Sequence, residues 1–414
     1  MQEVFEGKHD FDICFLSILL PPEDTTFIAN SKTFRSQNIT AIQLSIIDGL
    51  SNSNMQQPYL INTPLLSLFP KGYKHPVVRS SEIKGKYNGV NHSFKNVPLL
   101  YSSSLFHGAK KYLKKWASSD SGKKKLIIAY SLTRYTLKAM RYVKSINPSI
   151  KTSIIVPDLP QYTYQKTGSI IRKIKNNLAI NAIENEIKRS SDSVDFWMLF
   201  SDKMRECLPP LKNHMVFEGV ATDLFENIEK TQSGKKGKTI LYAGGLHENY
   251  GVGLLLDAFD LLDGDSWRLL LAGKGPMQDK IINKSKEDTR IEYLGEVPRE
   301  KLLELEKNVD VLVNPRVNSG IFTRYSFPSK NMEYLSSGTP MVGFKLDGIP
   351  DEYDGYINYF YEGNAKALAE AIRLACTDNN NESIVKAKNA REYVLNTKNK
   401  NFWGYKMLQE ISRQ

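Results

Sequence analysis

The feature that most constrains the fold is a rhythm that begins near residue 239, where short β-rich runs alternate with amphipathic helical stretches. Strand-forming runs fall at 239–243, 267–272, 290–293, 309–314 and 340–344, and helical stretches at 252–262, 277–286, 299–307 and 328–337 lie between them. Strands joined through helices pair in parallel, because a crossover returns each strand to the same starting edge. Such a sheet is covered on both faces, and its ligand-facing loops leave the C-terminal edge of the strands.

The first half repeats this logic less regularly, with strand-forming runs at 12–17, 124–130, 150–156 and 194–200. Residues 51–97 are rich in Ser, Asn, Pro and Gly and read as loops with short strands at the domain's edge. A chain of 414 residues exceeds one ordinary core. A hinge near 217–222, before a polar stretch at 226–238, gives an N-terminal domain of residues 1–217 and a second of residues 218–400. The expected class is α/β, with two Rossmann-like domains.

Apolar residues at 41% and charged residues at 24% place the chain among globular proteins and away from disordered ones. No apolar run reaches the ~18 residues of a spanning helix, and the N-terminus lacks a signal-peptide pattern, so a cytoplasmic protein is expected. Cys14, Cys207 and Cys376 are too few and too scattered for a disulfide framework or a zinc site. The net charge of +11 is all N-terminal: residues 1–217 hold 30 Lys and Arg against 16 Asp and Glu, and the remainder 26 against 29. That asymmetry suits a polyanion or an anionic membrane, where each basic residue contributes about 1 kcal/mol. Nucleic acid is disfavoured, since zinc-finger spacing and RNP-type aromatic motifs are absent. Residues 110–116 with 123–125, and residues 170–175, interleave basic and apolar side chains as a helix lying on a membrane surface would.

The densest set of chemical signals lies at 325–340. Ser326 or Phe327 precedes a helix, Pro328 suits its first turn, Gly338 supplies a left-handed stop and Pro340 forbids continuation. Free N–H groups near Ser329 and Lys330 then carry the positive end of the helix dipole to the sheet's C-terminal edge, which makes an anion site. Lys330 adds a full charge, and Arg316, just after the strand 309–314, can reach the same crevice with a bidentate guanidinium. A diphosphate matches two such cations. Glu333, one turn beyond Lys330, can accept from two sugar hydroxyls, as ribose recognition requires. Gly244 and Gly245 follow one strand, and Gly273, Lys274, Gly275 and Pro276 follow the next, so backbone can approach phosphate closely at both. Gln278 stands where a dinucleotide fingerprint needs its third glycine, which argues against an NAD-type oxidoreductase.

Residues 239–245 (TILYAGG), 270–275 (LLAGKG), 291–297 (IEYLGEV) and 327–335 (FPSKNMEYL) resemble glycosyltransferase family 4. The resemblance covers most of residues 217–376 and is diffuse before them. It implies the GT-B fold, two Rossmann-like domains with parallel sheets facing across a cleft, and retaining transfer from a nucleoside diphosphate sugar without a metal or other cofactor. It also implies that a saccharide or lipid-linked acceptor docks on the N-terminal domain, that a last helix at about 401–414 crosses back to that domain, and that the base lies along residues 294–297, with Glu296 and Val297 in contact. Lys274, Tyr325, Ser326, Pro328 and Ser329 join the donor-binding set, with Arg316, Lys330 and Asp158 as the catalytic candidates.

The family signature has two Glu eight positions apart. Glu333 matches the second, and Tyr325 occupies the first. The family's Arg and Lys after the first strand of this domain are Gly245 and Tyr250 here, so the diphosphate cations are assigned to Arg316 and Lys330. On the first domain Asp158 follows a hydrophobic strand between Pro157 and Pro160, and Pro157 takes the place of the family's His. Asp158 would position or deprotonate the acceptor, or shape the turn. Residues 21–34, with Ser31 and Lys32, are a second part of the expected cleft wall. The FPSK segment resembles enzymes of capsule or exopolysaccharide synthesis. Tyr325 also leaves open a non-catalytic GT-B subunit, and a GT-B nucleotide-sugar epimerase would share the same donor site.

Overall fold

The computed structural model describes the chain except for residues 1–7, 21–24, 33–36, 99, 164–169, 231–236, 319–320 and 378–380. It divides into two compact units, Met1–Val220 with Lys400–Gln414, and Ala221–Asn399.

The first unit contains β1 (Phe11–Ser17), β2 (Tyr59–Asn62), β3 (Val77–Val78), β4 (Ser81–Ile83), β5 (Asn88–Asn91), β6 (Phe94–Lys95), β7 (Lys124–Tyr130), β8 (Lys151–Val156), β9 (Phe196–Leu199) and β10 (His214–Val216). Eight of these form one sheet in the order β10-β9-β8-β7-β1-β2-β5-β4. All its pairings are parallel except that of β4 with β5, and β3 and β6 make a separate antiparallel pair. The region 51–97 therefore supplies three strands of the main sheet, and β2 pairs directly with the central β1. The short strands expected at the domain's edge are β2, β5 and β4, which make one edge of this sheet. The polar residues that suggested loops are satisfied inside the sheet: Ser17 Oγ donates to Asn62 Oδ1 at 2.8 Å, and Asn62 Nδ2 donates to Asn91 Oδ1 at 2.8 Å.

The C-terminal helix Lys400–Ser412 belongs to this unit and packs on the helix Gln37–Ser53. Backbones meet there at Gly49 and Gly404, where a Cβ on Gly404 would lie 2.1 Å from the Gly49 carbonyl oxygen. Trp403, almost fully buried, sets its ring 4.9 Å from that of Phe217.

The second unit holds β11 (Lys238–Ala243), β12 (Trp267–Ala272), β13 (Ile291–Gly295), β14 (Val311–Asn314), β15 (Met341–Phe344) and β16 (Asn358–Phe360). Its sheet is wholly parallel, in the order β13-β12-β11-β14-β15-β16. Counted along this unit that order is 3-2-1-4-5-6, the doubly wound arrangement, whose strand order reverses between β11 and β14. Leu241, Leu269, Leu271, Val311, Leu312, Val313 and Val342 are fully buried, as expected of strands covered on both faces. Ligands of such sheets bind where the reversal opens a crevice beyond the strand ends.

Candidate donor site

Two loops leave the reversal point. After β11 run Gly244 and Gly245, followed by the short turn Glu248–Tyr250 and the helix Val252–Phe259; after β14 come Pro315 and Arg316. They touch through Gly251, which has φ +78°; a Cβ there would sit 2.1 Å from the Pro315 carbonyl oxygen. Only glycine permits both the left-handed backbone and this approach. Gly273, at φ +132°, packs in the same way against the Gly244 carbonyl, which draws the β11 and β12 loops together.

Arg316 lies over the ring of Tyr250, its guanidinium carbon 5.6 Å from the centroid, and donates to Ser326 Oγ at 3.3 Å. Tyr242, mostly buried, donates to the Gly245 carbonyl at 2.8 Å. Burial, reinforced by Tyr250 and opposed by Arg316, pushes its phenol well above the usual range, so Tyr242 stays a neutral donor.

The helix bearing Lys330 and Glu333 spans Ser329–Ser337 and is tied to both central strands. The Tyr334 hydroxyl accepts from the Ala243 amide at 2.9 Å, and Asn314 Nδ2 donates to Asn331 Oδ1 at 2.6 Å. Gly338 closes the helix in the left-handed conformation at φ 74°, as its sequence position suggested. Pro328 stands one position earlier than expected: its ψ of 113° is extended, so it precedes the helix as the cap, and Ser329 begins the first turn. That cap makes no side-chain hydrogen bond, and within the first turn the Asn331 amide donates to the Pro328 carbonyl at 2.9 Å.

The two expected cations are placed differently. Arg316 rests on an aromatic face at the reversal point, whereas Lys330 sits between two carboxylates. Its Nζ is 2.5 Å from Glu333 Oε1 and 3.3 Å from Glu306 Oε1, and its alkyl stem carries the charge over the Tyr334 ring. Glu333 also accepts from Arg299 through Oε2. A carboxylate has about four lone-pair directions, so each oxygen of Glu333 keeps acceptor capacity beside its cation. Burial acts to raise Glu333; the charges of Lys330 and Arg299 and a hydrogen bond with Glu306 outweigh it and hold the group down to about 2. Burial, opposed by Lys330 and reinforced by Glu333, pushes Glu306 up to about 8.

Glu306, Arg299 and Tyr334 are absent from the sequence-derived set. The available signal was the spacing of Arg299, Leu303 and Glu306, which puts a carboxylate on the buried stripe of the helix Arg299–Asn308.

The remaining candidates fall into place less tightly. Lys274 and Glu296 pair with each other beyond β12 and β13, both mostly exposed, and Val297 beside them is half-buried. Tyr325 ends the short turn Ile321–Tyr325, Ser326 is half-buried, Pro328 is buried and Ser329 is exposed. In the first unit Asp158 is exposed just beyond the C-terminal end of β8. Residues 21–24 and 33–34 of the second cleft-wall segment lie outside the described residues. Among the described residues no three His, Cys, Asp or Glu side chains gather as a metal site.

One expectation needs correction. Residues 110–116 fall within the helix Tyr101–Ser118, whose apolar face is already occupied: Leu113 and Trp116 are buried in the core, and Trp116 Nε1 donates to Asp12 at 2.8 Å. Lys125 is buried too, 2.6 Å from Asp12. What this face offers a membrane is the charge of Lys110, Lys111, Lys114 and Lys115, without an apolar stripe. The helix Ile170–Ser190 differs, since Ile174, between the exposed Lys173 and Lys175, and Leu178, one turn on, are 54% and 64% exposed. No helix among the described residues is long and apolar enough to cross a membrane.

Residues 237–378, nearly all of the second sheet and its helices, match the family model described as Glycosyl transferases group 1. No curated protein matches the chain significantly. Among solved structures, a sucrose-phosphate synthase from Thermosynechococcus elongatus is 15% identical, with a TM-score of 0.63 over 97% of this chain and 98% of its own. WaaG, a glycosyltransferase involved in lipopolysaccharide biosynthesis, is 13% identical, with a TM-score of 0.63 over 97% of this chain and 100% of its own. Anabaena HepE in complex with UDP is 14% identical, with a TM-score of 0.61 over 98% of this chain and 100% of its own. The two doubly wound units are those of the GT-B fold, and with the family match in the second unit they support a glycosyltransferase.

Proposed function

We propose that the chain transfers a sugar, with retention and without a metal, from a nucleoside diphosphate sugar to a saccharide or lipid-linked acceptor in surface-polysaccharide synthesis. The observation that carries this reading is the crowding of Arg316, the Gly244–Gly245 loop and the start of the Ser329–Ser337 helix around the reversal between β11 and β14. Preorganised cations and N–H dipoles can neutralise a leaving diphosphate as the glycosidic bond breaks, and such charge stabilisation is commonly the largest catalytic contribution. Glu333 serves the ribose hydroxyls, and the β13 end at Gly295, Glu296 and Val297 serves the base. Because HepE structures carry UDP and UDP-glucose, a uridine diphosphate sugar is the first donor to try. Asp158 serves the acceptor.

A panel of UDP-, GDP- and other activated sugars tests this by thermal stabilisation and by donor consumption with the purified protein, since ligand binding raises apparent stability. Stabilisation without hydrolysis or transfer would instead favour a non-catalytic subunit, for which Tyr325 at the first Glu position is the motive; an isomerised donor would mark an epimerase. Arg316→Ala is expected to weaken nucleoside diphosphate binding by roughly ten- to a hundredfold, the usual worth of a charge-assisted contact at about 1.5–3 kcal/mol. Isothermal titration with UDP measures it, and an unchanged affinity removes Arg316 from the donor site.

The same reading includes attachment to an anionic membrane, supported by the N-terminal charge excess and by the exposed Ile174 and Leu178. The double substitution Ile174→Asp and Leu178→Asp is expected to abolish sedimentation with vesicles rich in anionic lipid and to leave donor hydrolysis unaltered. Equal sedimentation of both proteins would rule this helix out as the contact.

A further inference from the structure

Among the described residues of the second unit, Glu306 is the one carboxylate with a fully buried side chain, and it lies in a cluster that already contains two cations and another carboxylate. Its Oε1 meets Lys330 Nζ at 3.3 Å, whereas its buried Oε2 finds no donor among the described residues. Leaving a charged oxygen buried without a partner is costly, and a proton relieves it. The protonated carboxyl also becomes a donor, and the carboxylate beside it is that of Glu333, which holds the same Lys330 Nζ.

Counting charge shows what that proton does. With both glutamates ionised, Lys330 and Arg299 are fully cancelled and the cluster is neutral. With Glu306 protonated it carries one net positive charge, on the helix whose first turn faces the strand ends. The groups facing Glu306 are Arg299 on its own helix and Lys330, Glu333 and Tyr334 on the helix Ser329–Ser337. Strand β11, also packed on its helix, contributes the apolar Leu241.

We propose that Glu306 is a positioning residue that works as a neutral acid: its proton, shared toward Glu333, holds Lys330 in place without cancelling the charge that the cluster offers to a nucleoside diphosphate. This rests on the donor-site reading above. Burial drives Glu306 up to about 8, so the device operates at neutral pH and fails in mild alkali. The linkage has a definite sign. The folded value lies above the ordinary 4.5, so the stability that Glu306 contributes is complete below pH 4.5 and is lost as pH rises to about 8.

The test compares the wild-type full chain with Glu306→Gln, which keeps the shape and the donor but cannot ionise. UDP is titrated calorimetrically from about pH 7, where its phosphates are ionised, to about pH 9.5, and melting is followed from about pH 5 to 9. Wild-type affinity is expected to fall about tenfold through pH 8, the change that 1.4 kcal/mol of lost attraction gives, while Glu306→Gln retains its neutral-pH affinity throughout. Melting of the wild type should decline from pH 5 to 8 relative to Glu306→Gln. Parallel affinity profiles in the two proteins would overturn the proposal, as would a folded Glu306→Gln that no longer binds UDP at pH 7. If neither protein binds UDP or GDP at any pH, the donor-site reading itself fails, and the melting difference alone then reports the proton on Glu306.

Discussion

Lys330→Ala is expected to lower turnover by about a hundredfold or more in a protein that still folds. A fixed donor aimed at developing negative charge is worth on the order of 3 kcal/mol of barrier when removed. Its effect on the ground state should be smaller, because the donor diphosphate keeps Arg316 and the helix N–H groups as partners, so kcat should fall more than KM rises. The surroundings of Lys330 bear on stability as well. Removing one partner of a buried pair costs about 3–5 kcal/mol when the other is left charged and alone. Here Glu333 retains Arg299, and Glu306 carries a proton near neutral pH, so the loss should stay near the lower end of that range. Steady-state kinetics at saturating donor, paired with a melting curve, separates the two effects. A well-folded variant with near-normal kcat takes Lys330 out of the mechanism.

Lys330 and Glu333 could be found in the sequence because one short helix carries all their signals: a proline before the start, a glycine at the stop, and i, i+3 spacing between. Glu306 and Arg299 reach them from a different helix, Arg299–Asn308, and nothing within that segment states which neighbour it meets. The second sheet was similarly legible where strands are buried on both faces, since β11, β12 and β14 each contain an apolar run, at 240–243, 269–272 and 311–313. At its edge β16 has three residues, begins with Asn358 and follows a Gly- and Asp-rich loop, so it gives no such run. In the first unit β2 and β5 end in Asn62 and Asn91, residue types read as loop signals. Only tertiary pairing turns those amides into a buried hydrogen-bonded ladder with Ser17. The amphipathic helix Tyr101–Ser118 shows the reverse error. Periodicity reports that an apolar stripe exists, but whether lipid or core covers it depends on what packs there, and here β2 and the helix Arg134–Ile146 do.

Gly251→Ala should disable nucleotide binding at the reversal point. Alanine in the left-handed conformation costs about 1 kcal/mol. Here the Cβ would also fall 2.1 Å from the Pro315 carbonyl oxygen and 3.1 Å from the Arg316 amide, and rigid backbone yields less readily than a side chain. Overpacking of this kind adds typically 1–3 kcal/mol. Relief requires the β14 loop to retreat, which carries Arg316 away from Tyr250 and Ser326, so affinity for UDP should drop by more than the stability loss alone explains. A matched control lies in the same unit. Gly264 has φ +88°, yet a Cβ there would meet nothing within 4 Å, so Gly264→Ala carries the backbone strain without the collision. Melting temperatures of the two variants should therefore differ by the collision, and calorimetric titration with UDP should find Gly264→Ala near wild type and Gly251→Ala at least tenfold weaker. Equal affinities would mean that the contact between the β11 and β14 loops does not hold the donor site together.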